Sequence, residues 1–308
     1  MITGGAGYLG SVLIGHLLEK GYEVTCVDNL MYGQQSLFHY AHNPNFHFIF
    51  GDARNETLLR KILPSFDVLI PLAAIVGAPA CDRKPHDATT INRDAIILLD
   101  NLRSPHQKLI YPTTNSGYGA KTGEVYCTEE TPLEPISLYG RVKAEAEEHL
   151  LKSEKDAVTF RLATIFGISP RMRTDLLVND FVYQAMTTGC LELYEKDFKR
   201  NYLHIRDVAR AFEHAIKHFE QIKNQTYNVG LDDANLSKEE LALKIKEHIP
   251  KLSIYEGKGS DPDKRNYIIS NEKIKKTGFT TIYSLDDGIR ELIKGYGMLL
   301  KNSPYKNI

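Results

Sequence analysis

The stretch Met1–Gly10, MITGGAGYLG, decides the fold of this chain. Glycines at positions 4, 7 and 10 form a GxxGxxG pattern, and the apolar residues of SVLIGHLLEK, residues 11–20, then recur at helical spacing. YEVTCVDN, residues 22–29, alternates as a strand and ends at Asp28. The sequence therefore opens with a predicted strand, a glycine-rich turn, a helix and a second strand.

The strand before the turn is short, because only Met1, Ile2 and Thr3 precede Gly4. Such a strand pairs with its neighbours only in part, and the missing length should cost sheet stability. The other reading is that the natural chain starts upstream, and the sequence leaves both open.

The glycine turn is suited to bind a phosphate, because it opens a helix whose first N–H groups and dipole favour negative charge. Asp28 ends the next strand, where a carboxylate can accept hydrogen bonds from the adenosine ribose of a dinucleotide. The same carboxylate would repel a 2′-phosphate, and Asn29 follows it in place of the arginine that would favour NADP. The pattern predicts NAD, and the alternative is that Asp28 is simply a polar residue at a strand end.

Strands and helices continue to alternate through the first half of the chain. The predicted strands are HFIFGD (47–52), DVLIPLAA (67–74), KLIYPTT (108–114) and AVTFRLATIFG (157–167). The predicted helices are ETLLRKIL (56–63), TTINRDAIILLDNL (89–102) and SLYGRVKAEAEEHLLK (137–152), the last with Ser137 as its cap. This alternation predicts an α/β fold, a Rossmann-type doubly wound parallel sheet with helices on both faces.

The character of the sequence changes after about residue 166, where helical segments are joined by longer polar connectors. SKEE, residues 237–240, has the form of a capping box. We expect an NAD-binding domain over residues 1–166, joined by part of 200–230, and a smaller, interleaved substrate-binding region over 167–308.

Composition excludes several classes of function. The 308 residues carry 38 basic and 39 acidic side chains, which gives no electrostatic footprint for nucleic acid or an anionic membrane. The four cysteines, Cys26, Cys81, Cys127 and Cys190, form no cluster that would suggest zinc or a disulfide framework. The apolar run 68–80 is too short to span a bilayer, and no signal peptide is visible, so we expect a cytoplasmic protein.

A tyrosine and a lysine in YGRVK, Tyr139 and Lys143, lie one helical turn apart and therefore face the same way. One such pair is expected by chance in this chain, so a solvated surface pair is the alternative reading. Their position favours a function, because the helix follows the strand that ends at Thr114, and parallel sheets bind ligands at the carboxyl ends of their strands.

TGGAGYLG (3–10), TTNSGYG (113–119) and YGRVK resemble the extended short-chain dehydrogenase/reductase family of nucleoside-diphosphate-sugar epimerases, dehydratases and dehydrogenases, over essentially the whole chain. The resemblance implies NAD, a nucleoside-diphosphate sugar and Tyr139 as the base that removes a hydroxyl proton. Because a free phenol has a pKa of about 10, Lys143 and the nicotinamide charge are expected to lower the pKa of Tyr139. Lys143 would also bond the nicotinamide ribose, and Thr114 would orient the sugar hydroxyl. No metal is expected.

The resemblance also assigns further residues one by one. The implied cofactor contacts are Gly4, Gly7, Tyr8, Leu9, Gly10, Asp28, Asn29, Asp52 for the adenine amino group, Ala53, Leu72, Ala73, Ala74 and Asn92. The implied substrate contacts are Thr114, Asn115, Ser116, Thr164, and the arginines Arg171, Arg173, Arg200 and Arg265, whose forked guanidinium groups suit a pyrophosphate. For each arginine the alternative is a surface charge.

The family divides by the fate of the 4-keto sugar. A 4,6-dehydratase carries Thr-Asp-Glu where this chain has Thr114, Asn115 and Ser116, and neither of the last two is a carboxyl acid or base. A 4-epimerase and a 4-dehydrogenase both need only the threonine, tyrosine and lysine. IPLAAIVGAPACDRKP (70–85), FRLATIFGISPRMRTDLLVNDF (160–181) and DPDKRNYIIS (261–270) resemble most the GDP-heptose 4-dehydrogenase branch, which acts in bacterial polysaccharide sugar modification.

Two further expectations follow from the family. A non-catalytic NAD-binding sensor would be expected to lose the tyrosine or the lysine, and both are present. A homodimer is expected through the helix of Tyr139 and the helix near residues 90–103, where Ile96, Ile97 and Leu99 are either interface or core residues.

Overall fold

A parallel sheet forms the centre of the first half of the molecule. The computed structural model describes residues 1–121, 126–258 and 265–299. The strands are β1 (Ile2–Thr3), β2 (Val24–Asp28), β3 (Phe46–Phe50), β4 (Val68–Pro71), β5 (Lys108–Thr114), β6 (Tyr126–Cys127), β7 (Ala157–Leu162), β8 (Thr164–Phe166), β9 (Cys190–Leu193), β10 (Lys199–His204), β11 (Gln225–Val229), β12 (Asn235–Ser237), β13 (Ser253–Glu256) and β14 (Ile268–Ile269).

Seven of these strands pair in the order β11-β7-β5-β4-β1-β2-β3, all parallel. Every residue of β2 and β7 is buried, as expected for strands covered on both faces. Chain order runs outward in both directions from β1, so the topology is doubly wound, and the predicted fold class is confirmed.

β1 has only two residues, yet it lies at the middle of the sheet. Ile2 pairs with Cys26 of β2 on one side and with Ile70 of β4 on the other. A short strand held from both sides is sufficient to fix where the glycine turn begins.

Some helices of the described chain cover the two faces of this sheet, and others lie beside it. They are α1 (Tyr8–Glu19), α2 (Glu56–Ile62), α3 (Ala78–Arg83), α4 (Pro85–Thr89), α5 (Ala95–Leu102), α6 (Leu138–Lys152), α7 (Leu177–Thr187), α8 (Ile205–Lys217), α9 (Phe219–Ile222), α10 (Lys238–His248), α11 (Glu272–Lys275) and α12 (Leu285–Leu299). α1 and α8 share one apolar cluster with the strands, and α2, α5 and α6 share another. Ile96 and Leu99 of α5 belong to that second cluster and are core residues, whereas Ile97 stays half-exposed.

A third apolar cluster forms around α7, α10 and α12. β12, β10 and β8 form a small sheet beside it. α8 and β11, both within residues 200–230, pack with the large sheet instead. The division into two domains near residue 166 stays a prediction. In the described ranges no helix has the length and apolar composition needed to cross a bilayer.

Candidate functional site

A cavity of about 830 Å³ opens at the carboxyl ends of β2, β4 and β5, next to the point where the strand order reverses. The predicted residues that line it are Gly4, Gly7, Tyr8, Leu9, Gly10, Asp28, Asn29, Asp52, Ala53, Leu72, Ala73, Ala74, Thr114, Ser116, Tyr139, Lys143, Thr164, Arg171, Arg173, Arg200 and Arg265. Asn92 and Asn115 are not part of its wall. The fold thus brings most of the predicted site residues to one place.

The glycine turn forms one end of the cavity. Gly4 has a φ of +69°, and a Cβ there would lie 2.5 Å from the Ala73 backbone, so only glycine fits. A Cβ at Gly10 would lie 2.6 Å from the backbone of Gly5, which lets the helix start closely against the turn. Within the described residues no side chain caps α1 at Gly7. The N–H groups of its first turn therefore face an anion site.

Asp28 is held beside this turn by backbone donors. Its carboxylate accepts hydrogen bonds from the N–H of Ala6 at 3.0 Å and from the N–H of Leu30 at 2.8 Å. Burial raises the pKa of the Asp28 carboxyl above its usual value, and the two N–H donors lower it in part. The carboxylate is thus fixed in orientation on the cavity wall.

Asp52 is fixed by an arginine that the sequence analysis did not single out. Arg54 donates to both carboxylate oxygens of Asp52, at 2.9 and 2.8 Å, and to Asp87 at 3.0 Å. These bonds lower the pKa of the Asp52 carboxyl, which stays ionised at neutral pH. Asn29 donates to the same carboxylate at 3.3 Å, so the ends of β2 and β3 are joined at the cavity.

Asn92 supports the wall from behind. It lies in a π-helical turn between α4 and α5, and its side chain bonds the N–H and the carbonyl of Ile75, each at 2.8 Å. Both polar atoms of Asn92 thus hold the loop that follows Leu72–Ala74, and the direct cofactor contact expected for Asn92 stays a prediction. Its role in this fold is to position that loop.

Thr114, Tyr139 and Lys143 line the same cavity. Thr114 is the last residue of β5, and Tyr139 and Lys143 lie in the first two turns of α6. The Ser137 side chain accepts from the N–H of Gly140 at 3.1 Å, so the predicted cap is confirmed. The Thr114 side chain lies close enough to the Tyr139 hydroxyl to act on its pKa.

Burial dominates the electrostatics of Tyr139. Burial raises the pKa of Tyr139 to about 12, and the Cys81 thiol acts in the same direction. The charges of Arg173 and Arg265 and the Thr114 side chain lower it only in part. The pKa of Tyr139 is thus raised in the chain by itself, and the lowering expected from Lys143 together with the nicotinamide charge stays a prediction.

Burial also shifts the pKa of Lys143. Its side chain is 4% exposed and its ammonium lies 4.0 Å from the centre of the Tyr111 ring. Burial lowers the pKa of Lys143 to about 7, although Glu147 acts in the opposite direction. Lys143 is therefore only partly charged at neutral pH and supplies little positive field to Tyr139.

The two residues after Thr114 behave differently from each other. Thr114 donates to the Ser116 hydroxyl at 2.9 Å, and Arg265 also donates to that hydroxyl. Asn115 is buried away from the cavity, and its side-chain amide finds no hydrogen-bond partner in the described part of the chain. Asn115 is therefore not part of the cavity wall, and the substrate contact expected for it stays a prediction.

Four arginines line the rest of the cavity. Arg171 and Arg173 follow β8, and Arg173 pairs with Asp175 at 3.1 and 2.5 Å. Arg200 lies in β10, with its guanidinium 5.9 Å from the Tyr267 ring centre. Arg265 closes this wall, and the preceding residues 261–264 of its motif lie outside the described ranges. All four predicted arginines thus face one space.

Sequence reasoning missed several lining residues. They are Met31, Tyr32, Gln34, Asp82, Arg83, Ser137 as a wall residue, Asp175, Asp180, Lys238 and Tyr267. Lys238 directly follows the cap Ser237, and its ammonium donates to the carbonyl of Tyr194 at 2.7 Å. Tyr32 and Gln34 follow Asp28 in one loop. Their closeness to Asp28 in the sequence could have indicated that they line the cavity. No signal marked Lys238, because its side chain reaches the cavity only through the fold.

Known proteins resemble this chain over most of its length. The sequence profile of the NAD dependent epimerase/dehydratase family matches residues 1–230. The low-salt glycan biosynthesis protein Agl12 of Haloferax volcanii is 26% identical over 96% of this chain and 97% of its own length. UDP-arabinose 4-epimerase 1 of Arabidopsis thaliana is 28% identical over 78% of this chain and 64% of its own length. The crystal structure of a dTDP-glucose 4,6-dehydratase of Bacillus anthracis in complex with NAD superposes with a TM-score of 0.84, at 25% identity, over 97% of this chain and 96% of that one.

Proposed function

The chain belongs to the NAD-dependent epimerase/dehydratase family, and from this premise we propose that it oxidises the C4 hydroxyl of a nucleoside-diphosphate sugar. The proposed substrate is GDP-manno-heptose, converted to its 4-keto form in bacterial polysaccharide biosynthesis. The proposed reaction type is supported by one observation: Thr114, Tyr139 and Lys143 line the same cavity as the glycine turn. The choice of GDP-heptose rests on the sequence resemblance.

The cavity residues fit NAD, the family's cofactor. The uncapped first turn of α1 would hold its pyrophosphate and Asp28 its adenosine ribose. Asp52 would accept from the adenine amino group, and Lys143 would bond the nicotinamide ribose. NAD supplies the hydride acceptor at this site.

Tyr139 would act as the general base. Its phenolate takes the proton of the C4 hydroxyl as the hydride leaves the same carbon, which turns the alcohol into a ketone. Thr114 would orient that hydroxyl, because its side chain lies beside Tyr139 and is held by its bond to Ser116. Because the pKa of Tyr139 is about 12 in the chain by itself, this role requires added positive charge beside the phenol when the ligands bind.

Arginines at the other wall would hold the substrate pyrophosphate. Arg200 and Arg265 are the proposed ligands, with Arg265 also touching Ser116 next to Thr114. A 4,6-dehydration is disfavoured, because Asn115 and Ser116 offer no carboxyl group where that reaction needs one.

A 4-epimerase is the second candidate, because UDP-arabinose 4-epimerase 1 is among the relatives and needs no further residue type. The epimerase keeps the keto sugar until its hydride returns to the other face. A 4-dehydrogenase releases it and depends on another oxidant to regenerate NAD.

Mass spectrometry of the reaction products separates these functions. The purified protein is incubated with NAD and a panel of GDP-, UDP- and dTDP-sugars, with and without a 2-oxo acid as oxidant. A product lighter by two hydrogens that accumulates only with the oxidant supports the 4-dehydrogenase, and the largest yield is expected with GDP-manno-heptose.

The other outcomes contradict the proposal in different ways. An isomer of unchanged mass indicates the epimerase, and a product that has lost water indicates a dehydratase. No turnover of any sugar, with NAD bound, favours the non-catalytic sensor. As the control, Tyr139→Phe should lower turnover by about 100-fold or more while the protein still binds NAD.

A further inference from the structure

The loop formed by residues 167–173 is tied to the start of α1. The Tyr8 hydroxyl donates to the carbonyl of Gly167 at 2.7 Å, and the Ser169 hydroxyl donates to the carbonyl of Tyr8 at 2.7 Å. The hydroxyls of Ser169 and Ser11 lie 3.0 Å apart, and the N–H of Arg171 donates to Ser169 at 3.2 Å. Arg171 is therefore anchored to the glycine-turn helix through a single serine.

Arg171 also contacts the loop that carries Asp28. Its guanidinium lies 5.0 Å from the centre of the Tyr32 ring, a cation–π distance. The N–H of Tyr32 donates to Gln34 at 3.1 Å, and Gln34 donates to the Asp28 carboxylate at 3.4 Å. The guanidinium of Arg171 also donates to the carbonyl of Met172 at 2.6 Å. Because its backbone is tied to the start of α1 and its side chain lies over Tyr32, Arg171 lies on the cofactor half of the cavity.

The charges in this region suit an anion. Arg171 is 6% exposed and Arg173 is 8% exposed, so two neighbouring guanidinium groups are buried together. Asp175 bonds Arg173, and burial together with the like charge of Arg173 lowers the pKa of Arg171. The charge of Asp175 acts on Arg171 as well as on Arg173, so two buried guanidinium groups lie near this carboxylate, and the uncapped end of α1 adds further positive potential.

The pyrophosphate of NAD is the anion that the glycine turn brings to this position. We infer that Arg171 binds the cofactor pyrophosphate together with the start of α1, with Tyr32 holding its guanidinium in place. Arg200, Arg265 and Lys238 remain for the substrate at the far wall. The inference revises the substrate contact predicted for Arg171, and it depends on NAD binding alone, whatever sugar is turned over.

Calorimetric titration of NAD into the full-length, cofactor-stripped protein tests this inference. Arg171→Ala should weaken NAD binding about 10-fold, the effect of losing one charged hydrogen-bond partner. The NAD affinity of Arg171→Lys should lie between those of the wild type and Arg171→Ala. Tyr32→Ala should weaken it about 2- to 5-fold, while Tyr32→Phe, which keeps the ring, should bind like the wild type. Arg290→Ala, on the exposed side of α12, is the matched control and should not change the affinity.

Two fragments of NAD show whether the effect comes from the phosphates. ADP-ribose, which keeps the pyrophosphate, should lose affinity for Arg171→Ala to the same degree as NAD, whereas adenosine should bind both proteins equally. Equal loss of adenosine binding would mean that the substitution disrupts the loop, and would overturn the inference. Unchanged NAD binding combined with lost binding of a nucleotide sugar would also overturn it, because Arg171 would then serve the substrate. Neither readout uses turnover, so failure of the proposed function cannot be confused with failure of this inference.

Discussion

Lys143 is buried, and burial makes its ammonium form costly in free energy. The folded protein carries this cost at the candidate site. Burial lowers the pKa of Lys143 to about 7, against about 10.5 for an exposed lysine. The sequence predicted Lys143 from its spacing to Tyr139, but the spacing holds no information on burial. The directions in which the pKa values of Lys143 and Tyr139 shift were therefore known only from the fold.

Replacing Lys143 by methionine should stabilise the protein and abolish turnover. Between pH 7 and about pH 10.5 the unfolded lysine carries a proton that the folded one has lost, so wild-type stability rises with pH in this window. Lys143→Met has no such proton to lose, so its advantage should be greatest below pH 7, on the order of 5 kcal/mol from the pKa shift of Lys143, and should shrink toward about pH 10. Urea denaturation of the cofactor-stripped proteins across this range measures it.

Lys152→Met, an exposed lysine on the same helix, is the control and should change stability by less than about 0.5 kcal/mol at every pH. A Lys143→Met variant that is less stable than the wild type at pH 6 would contradict the argument.

At the scale of elements, α1, α7 and α12 are joined by one buried asparagine. The Asn179 side chain donates to the Tyr8 hydroxyl at 3.1 Å and to the carbonyl of Arg173 at 2.8 Å, and it accepts from the N–H of Gly167 at 3.0 Å. Tyr296 of α12 donates to its backbone carbonyl at 3.0 Å. This network holds the 167–173 loop against the glycine-turn helix.

Asn179→Ala should lower the free energy of unfolding by about 2–4 kcal/mol. The substitution leaves the Gly167 N–H and the Arg173 carbonyl buried without their partner, and each unpaired group costs about 1–3 kcal/mol. Urea denaturation measures the loss. Gln184→Ala, which removes one hydrogen bond to Asp180 on the more open side of α7, should cost less than about 1 kcal/mol. Equal losses in the two variants would show that the network adds nothing specific.

At the scale of the whole molecule, the chain crosses between its two halves more than once. α8 and β11 return to the large sheet after β8 and α7 have left it. The cavity is walled by both halves, so its residues range from Gly4 to Tyr267 in sequence. A long separation in sequence is thus compatible with one site.

The homodimer stays a prediction, with α5 and α6 as its expected interface. The structure assigns Ile96 and Leu99 to the core, so Ile97 is the remaining apolar candidate on α5. Light scattering should give about twice the chain mass of 34.8 kDa. Ile97→Glu should shift the protein toward monomer by burying a charge in the interface, whereas Leu243→Glu, at an exposed apolar site on α10, should not. A wild-type protein that is monomeric at micromolar concentration would exclude the dimer.

The sequence by itself determined the doubly wound sheet, the phosphate turn, the acidic residue at the end of β2 and the Thr114, Tyr139 and Lys143 set. These features depend on local periodicity and on residue types at fixed short spacings, which a linear pattern records. Only the tertiary structure decided that Asn92 and Asn115 turn away from the cavity, that Lys238 and Tyr32 enter it, and that burial dominates the pKa of Tyr139. Burial and contact depend on residues that are distant in sequence, so they exist only once the chain has packed.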